Sequence, residues 1–305
     1  MEPSTIALLT DAFGDRPLGD VAEWCAARGL GGLEIGVGGY SPAPHVDSLR
    51  AGADLRGLDV VALNASGNVL HPDPRVRAEH DAALREALTL AAALGVPRVV
   101  AMSGCPGGPG GGGWPVFAGG AWLPDMEGLW ETQWPAIAAY WQELSESAPA
   151  GVDICLELHP GTSIYNAASF ALLAGVTGPN VKVNLDPSHF WWQGIDPVAT
   201  VRALGDRIGF VHGKDTIVHA DRVALHGVLD FRWPAGAGEM PWHFCAVGRG
   251  RPIAEWRALF AALAEAGYDG PVSIEHEDPE LEPEAGVEAS IEGLRAALAT
   301  ERVGG

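Results

Sequence analysis

Eight short apolar runs rich in Val, Ile and Leu recur along the chain, and amphipathic stretches of helical period separate them. Runs of this length predict buried parallel strands, because both faces of a parallel strand are covered. They are Thr5–Leu9, Leu33–Val37, Val60–Asn64, Arg98–Met102, Val152–Leu158, Val181–Leu185, Ile208–His212 and Pro271–Glu275. Eight strand–helix units in 305 residues predict an α/β protein, a (β/α)8 TIM barrel forming a single domain over residues 1–305.

The amphipathic stretches predict the helices that surround this barrel. They are Leu18–Arg28, Val46–Leu55, Arg75–Leu94, Gln133–Ser147, Asn166–Leu173, Pro197–Leu204, Ile253–Ala266 and Glu284–Thr300. A doubly wound open sheet is the structural alternative. The turn after the first strand, Leu9 to Gly14, lacks the G-x-G-x-x-G pattern of a dinucleotide site, which argues against that alternative.

The charge balance restricts the partners of this chain. Asp and Glu outnumber Lys and Arg by 39 to 19, a formal net charge of −20, so polyanions are repelled and we expect neither nucleic acid nor membrane as a partner. The sequence has no apolar run of about 18 residues and no signal-peptide pattern at its start. The four cysteines do not form a disulfide pattern. We therefore expect a cytoplasmic protein with reduced thiols.

Two segments interrupt the regular spacing, Ser103–Gly120 and Asp215–Arg251. They follow the fourth and seventh strands, so they predict long βα loops at the C-terminal mouth of the barrel, where such barrels carry their active sites. Loops of this length are commonly lids or binding loops. Trp114 and Trp242 lie in them and are candidate substrate contacts, because aromatic faces pack well on sugar rings; ordinary core packing is the alternative.

Carboxylates and histidines gather at the ends of four successive predicted strands. A charged side chain in a buried strand costs several kcal/mol unless it is paired or metal-bound, and these four strand ends meet at one mouth. The pattern predicts a shared metal site whose ligands are Glu157, Asp186, His212 and Glu275. Three oxygens and one nitrogen suit one divalent metal, with Mn²⁺ first and Mg²⁺, Co²⁺ or Zn²⁺ as alternatives.

This predicted site supports a specific chemistry. A metal with open coordination positions can polarise the carbonyl of a carbohydrate and stabilise an enediolate. Glu157 and Glu275 are the predicted catalytic residues, which remove and return the proton α to that carbonyl. His159 either orients a carboxylate or substrate or is a satisfied buried histidine, and Lys214 is a candidate substrate or carboxylate contact.

The motifs ELHPG, NLDPSHFWWQGIDP, VHGKDT and SIEHEDP resemble, in order and position, the sugar phosphate isomerase/epimerase superfamily of xylose-isomerase-like barrels. SGNVLHP, which contains His71, and SGCPGG resemble the same bacterial branch, so the resemblance spans essentially the whole chain. It implies a TIM barrel with one divalent metal on Glu157, Asp186, His212 and Glu275, and substrate contacts from His71 and His189.

The resemblance leaves several activities open. A metal-dependent sugar isomerase or epimerase ranks first, although the ketose 3-epimerases have an arginine shortly after the strand-seven histidine where this chain has Lys214. The branch also contains large subunits of C-glycoside deglycosidases, so a 3-oxo-glycoside lyase ranks second and a dehydratase of a cyclic polyol ketone follows. A non-catalytic sugar-binding barrel is the alternative of another class. We expect a homo-oligomer, or a hetero-oligomer with a small subunit in a C-glycoside deglycosidase.

Overall fold

The computed structural model describes residues 6–110, 112–120, 123–230 and 239–299, and the eight predicted strands close into a parallel barrel there. Its order around the ring is β1-β10-β7-β6-β5-β4-β3-β2. The hairpin strands β8 (Asp215–Val218) and β9 (Trp242–Cys245) lie outside the ring. The barrel strands are β1 (Ile6–Leu9), β2 (Gly32–Gly36), β3 (Asp59–Asn64), β4 (Arg98–Met102), β5 (Asp153–Glu157), β6 (Val181–Leu185), β7 (Ile208–Gly213) and β10 (Val272–Ile274).

Ten α-helices are present in the described ranges. The longest helix lies between β3 and β4, and its sequence favours both of its ends. At its start, Asp73 accepts a hydrogen bond from the Arg75 backbone N–H, and Pro74 is the first helical residue. At its end, Gly95 adopts a left-handed conformation with a φ of +71°. The helices are α1 (Leu18–Ala27), α2 (Val46–Arg50), α3 (Pro74–Leu94), α4 (Leu129–Ser147), α5 (Ala167–Ala174), α6 (Ser188–Trp191), α7 (Pro197–Leu204), α8 (Ala220–His226), α9 (Ile253–Glu265) and α10 (Pro283–Leu298).

Two predicted helix boundaries are wrong. Helix α2 ends at Arg50 rather than at Leu55, because the chain turns at Gly52, which has a φ of +74°. Helix α4 begins at Leu129, four residues before the predicted start, and contains Pro135 in its interior. A proline lacks the N–H of the helical hydrogen-bond ladder, so the sequence favours a start close to it. The predicted ends Thr5 and Thr300 lie outside the described residues.

A small apolar layer fills the barrel below the mouth. Cys155 and Phe210 belong to it and precede Glu157 and His212 by two residues, so each pair points to the same face of its strand. The barrel interior is thus polar at the level of the predicted ligands and apolar one layer further from the mouth. The members of the layer are Ala7, Val61, Ala62, Val100, Cys155 and Phe210.

The long insertion after β7 contains structure that the sequence did not predict. Strands β8 and β9 pair antiparallel, and α8 lies between them in the chain. Buried Asp215 joins the two ends of the insertion, because its Oδ2 accepts hydrogen bonds from the backbone N–H groups of Gly248 and Arg251 at 2.8 and 3.1 Å and from Trp256 Nε1 at 3.0 Å. The insertion is therefore attached to the barrel at both ends.

The glycine-rich segment after β4 is largely irregular, as predicted. Its described part holds one isolated bridge between Gly107 and Pro115 and a single 3₁₀ turn at Ala118–Gly120. Within the described ranges, no helix is long and apolar enough to cross a membrane.

Candidate metal centre

Four strand ends bring the predicted ligands together. Glu157 ends β5, Asp186 follows β6, His212 lies in β7 and Glu275 follows β10. One nitrogen or oxygen atom from each lies within 4.8 Å of the others. Three of these side chains are buried, whereas that of Glu275 is 18% exposed. The carboxylates thus converge on one point at the mouth, where an unpaired charge would be costly.

The first half of the site, which we term the β5–β6 side, comprises Glu157, Asp186, His159 and His189. His189 Nε2 lies 2.9 Å from Glu157 Oε1 and 3.3 Å from Asp186 Oδ2. Burial lowers the pKa of His189 well below its usual value, and the His159 ring, 4.2 Å away between centroids, lowers it further. A neutral His189 therefore donates its Nε2–H to Glu157 Oε1 and orients that carboxylate.

The second half, the β7–β10 side, comprises His212, Lys214, Glu275 and Glu277. Lys214 is 2% exposed, and its Nζ lies 2.7 Å from Glu275 Oε2, 2.8 Å from Glu277 Oε2 and 3.1 Å from Asp186 Oδ2. Burial alone would lower the pKa of Lys214, but the carboxylates around it raise it well above its usual value. Burial alone would raise the pKa of Glu275, but Lys214 and His212 lower it well below. This side holds a buried ion pair.

His212 joins the site to a residue that the sequence analysis missed. Its Nδ1 lies 3.0 Å from Glu275 Oε2, while its Nε2 lies 3.1 Å from Oε2 of fully buried Glu34 in β2. Burial alone would lower the pKa of His212, but the carboxylates of Glu34 and Glu275 raise it well above its usual value. The signal for Glu34 was present, since a glutamate between Leu33 and Ile35 in an apolar strand needs a partner.

The residues present fit a divalent cation. Asp186 Oδ2 is buried and, among the described residues, accepts no hydrogen bond of good geometry, although Lys214 and His189 are its ionic neighbours. A cation would satisfy this oxygen and offset three carboxylates that crowd together. With one imidazole and no thiolate, the donor set suits Mn²⁺, Mg²⁺, Co²⁺ or Zn²⁺.

The insertion reaches the site through Phe244, which the sequence analysis did not single out. Its ring centroid lies 5.2 Å from that of His189 and 4.5 Å from Lys214 Nζ, so it contacts both halves. Trp242 lies two residues earlier, is 5% exposed and stacks on Trp192 at 4.3 Å. The mouth is therefore covered by a phenyl ring, with Trp242 packed behind it.

Two other predicted substrate contacts, His71 and Trp114, are in the chain segments that follow β3 and β4. The side chain of His71 belongs to the turn before α3, where its Nδ1 accepts a hydrogen bond from the Asp73 backbone N–H at 3.0 Å. Trp114 is 83% exposed in the glycine-rich loop. His159, His189 and Lys214 lie with the four predicted ligands. The roles of all five residues as substrate contacts stay predictions.

Comparison with known proteins finds relatives that include a dehydratase and an epimerase. The chain is 34% identical to uncharacterized protein YfiH of Bacillus subtilis (strain 168), over 96% of this chain and 99% of that one. It is 31% identical to an inosose dehydratase of Geobacillus kaustophilus (strain HTA426), over 46% of each chain, and thus spans about half of that enzyme. It is 25% identical to an L-ribulose 3-epimerase of Methylomonas sp. (strain DH-1), over 75% of this chain and 66% of that one.

Solved structures support the fold assignment. Those compared superpose with TM-scores between 0.59 and 0.65 at 16–21% identity, which shows the fold alone. A family model described as xylose isomerase-like TIM barrel matches residues 22–297, a range that includes all four predicted ligands. With the closed parallel barrel and the convergent strand ends, this match establishes that the chain belongs to the xylose isomerase-like TIM barrel family.

Proposed function

We propose that the protein is a divalent-metal-dependent enzyme that removes the proton α to the carbonyl of a sugar or a sugar-derived ketone. The observation that carries this proposal is the convergence of Glu157, Asp186, His212 and Glu275 within 4.8 Å at the barrel mouth, next to a buried lysine. A cation held by these residues, with Mn²⁺ first, supplies the positive charge that polarises the substrate's carbonyl oxygen.

The two glutamates carry the proton in this proposal, and their contacts differ. Glu275 Oε2 accepts a hydrogen bond from the charged Lys214 Nζ at 2.7 Å, which stabilises the carboxylate and makes it a weaker base. Glu157 Oε1 faces His189, whose lowered pKa keeps it neutral. Glu157 is therefore the better base for removing the α-proton. Glu275 returns a proton that it first accepts from Lys214, the donor hydrogen-bonded to its Oε2, and Glu157 then releases its own proton to solvent.

Lys214 contributes the charge that an enolate needs. Its ammonium group is buried beside two candidate ligands, and a fixed donor in a water-poor site stabilises developing negative oxygen strongly. Phe244 packs over Nζ and helps to exclude water from this position. Lys214 thus donates to the substrate's carbonyl or hydroxyl oxygen.

Isomerisation or epimerisation is the first outcome that we propose for this enolate. Return of the proton to the opposite face of the same carbon inverts it, and return to the neighbouring carbon moves the carbonyl. The similarity to an L-ribulose 3-epimerase supports this outcome, as does a second carboxylate at the site.

Elimination is the second candidate, favoured by Lys214. After the base takes the α-proton, the electron pair can expel a group from the adjacent carbon, and a proton from Lys214 converts a departing hydroxide into water. The similarity to an inosose dehydratase supports this outcome. A 3-oxo-glycoside lyase or C-glycoside deglycosidase performs the same step with a sugar-bound aglycone as the leaving group.

Turnover of defined ketones tests the proposal. The Mn²⁺-loaded protein would be incubated with L-ribulose, with an inosose and with a 3-oxo-glycoside, and the products analysed by mass spectrometry and NMR. A product of unchanged mass indicates isomerisation or epimerisation, whereas loss of water or of the aglycone indicates elimination. Tight binding of a ketone without turnover, with metal bound, would instead support the non-catalytic sugar-binding barrel.

A further inference from the structure

We infer that Glu34 is a positioning residue that fixes the proton of His212 on Nε2 and so leaves Nδ1 free to bind a cation; this rests on the metal site of the proposed function. Glu34 approaches only the far side of the His212 ring, with its Oε2 at 3.1 Å and its Oε1 at 3.3 Å from Nε2. Nδ1, on the opposite edge, lies 3.0 Å from Glu275 Oε2 and faces the other candidate ligands.

A second contact fixes Glu34 itself. The backbone N–H of Ser66 donates to Asn64 Oδ1 at 3.0 Å, which orients the Asn64 amide so that its Nδ2 donates to Glu34 Oε1 at 2.8 Å. Asn64 is 5% exposed, and Glu34 and His212 are fully buried, so water does not compete with these hydrogen bonds. The order of donors and acceptors is therefore determined from the Ser66 backbone N–H to the imidazole ring of His212.

The chemistry of the groups makes this arrangement directional. An ionised carboxylate only accepts hydrogen bonds, so a ring nitrogen facing Glu34 must carry a hydrogen. When the imidazole binds a cation, one nitrogen loses its proton, and Glu34 decides that the remaining proton is on Nε2. Asn184 does not determine which ring nitrogen carries the proton, because its Nδ2 lies 3.3 Å from both of them.

Glu34→Gln tests the positioning role, with Zn²⁺ as a diamagnetic probe. The amide NH₂ of glutamine replaces one of the two carboxylate oxygens, so it faces either His212 Nε2–H at the Oε2 position or Asn64 Nδ2 at the Oε1 position. In either orientation, two hydrogen-bond donors face each other. We expect Zn²⁺ affinity, measured by competition with a chelator, to fall by about 10- to 100-fold. Glu265→Gln is the matched control, because this glutamate is on α9 with a side chain that is 67% exposed, and its affinity should equal that of the wild type.

A reversal of the hydrogen-bond polarity separates positioning from simple loss of charge. In Glu34→Gln/Asn64→Asp, the new carboxylate at position 64 accepts from the new amide at position 34, whose oxygen can again accept from His212 Nε2–H. The total charge equals that of the wild type. We expect the double variant to regain most of the Zn²⁺ affinity that Glu34→Gln loses.

Long-range ¹H–¹⁵N NMR spectra of the histidine rings give a readout independent of affinity, assigned by comparison with His212→Ala. The Zn²⁺-loaded wild type should show His212 protonated at Nε2. Protonation at Nδ1, unchanged affinity in Glu34→Gln, or no recovery in the double variant would overturn the inference. The wild-type spectrum shows which nitrogen of His212 is protonated, so it tests the inference even if a variant fails to fold. A wild type that binds no divalent metal would instead overturn the proposed function, and this inference with it.

Discussion

The two halves of the site use the same residue types for different purposes. On the β5–β6 side, His189 is neutral and connects Glu157 to Asp186, and all three side chains are almost completely buried. On the β7–β10 side, Lys214 is charged, and its partner Glu277 is 48% exposed. In one half a neutral histidine lies between two buried carboxylates, whereas the other half is ionic and opens toward solvent.

Local sequence explains this difference. After β6 the Asp-Pro-Ser-His segment turns at once into α6, where the Ser188 backbone N–H donates to Asp186 Oδ1 at 2.9 Å and His189 is carried back toward Glu157. After β7 the chain stays extended, so His212 and Lys214, two residues apart, point to the same side. The turn after β6 therefore places a neutral hydrogen-bond donor, His189, at the site, whereas the extended chain after β7 places the charged ammonium group of Lys214 there. Each half supplies two of the four predicted metal ligands. In the proposed function, the first half also supplies the base and the second half supplies the donor to the substrate oxygen.

The largest effect should come from ligand removal, one residue from each half. Asp186→Ala and His212→Ala should each lower bound divalent metal well below one per chain and abolish turnover, because four convergent ligands lose one member. Metal content by mass spectrometry and folding by circular dichroism measure this. Full metal occupancy in both variants would show that the cluster is not the metal site.

The next largest effect separates the two glutamates. Glutamine keeps the shape of the side chain but cannot take a proton, so kcat should fall by roughly 10²–10⁴ in each variant with a smaller change in KM. Glu157→Gln should lose more than Glu275→Gln, because the ion pair with Lys214 already weakens Glu275 as a base. Steady-state kinetics at saturating Mn²⁺ gives the comparison. Rates near that of the wild type in both variants would exclude carboxylate catalysis.

Lys214→Met tests whether the lysine of the β7–β10 side acts on the substrate rather than on the metal. The variant should retain bound metal, since all four ligands remain, while kcat falls by roughly 10²–10³, the usual loss for one donor to a developing oxyanion. Lys214→Arg, which keeps the charge, should be less impaired. A Lys214→Met variant that no longer binds metal would assign the lysine to ligand orientation instead.

A smaller effect should follow from Phe244→Leu, which removes the ring that contacts both halves. The contacts with Lys214 and His189 together correspond to about 1–2 kcal/mol, so kcat/KM should fall by about tenfold. Leu225→Ala on α8 is the control, because this side chain belongs to the same insertion but is 80% exposed. Equal kinetics in the two variants would mean that Phe244 only packs.

The fold was predictable because the barrel strands are short runs rich in Val, Ile and Leu. The ligands were predictable because charged residues stand where such strands end. Glu34 was not predicted because it lies inside β2 rather than at a strand end, and its role arises from a pairing with His212, 178 residues away. The β8–β9 hairpin escaped because its two strands are only four residues each and are separated by a long segment. Non-local pairs of this kind leave no periodic signal in the sequence.

Deuterium exchange tests most directly the claim that this site removes a proton α to a carbonyl. The Mn²⁺-loaded protein, and separately its Glu157→Gln and Glu265→Gln variants, would be incubated in D₂O with the ketone that the turnover screen identifies. We predict one deuterium α to the carbonyl in recovered substrate or product for the wild type and the Glu265→Gln control, and almost none for Glu157→Gln. Turnover by the wild type without any deuterium at that carbon, or equal incorporation in Glu157→Gln, would contradict the account.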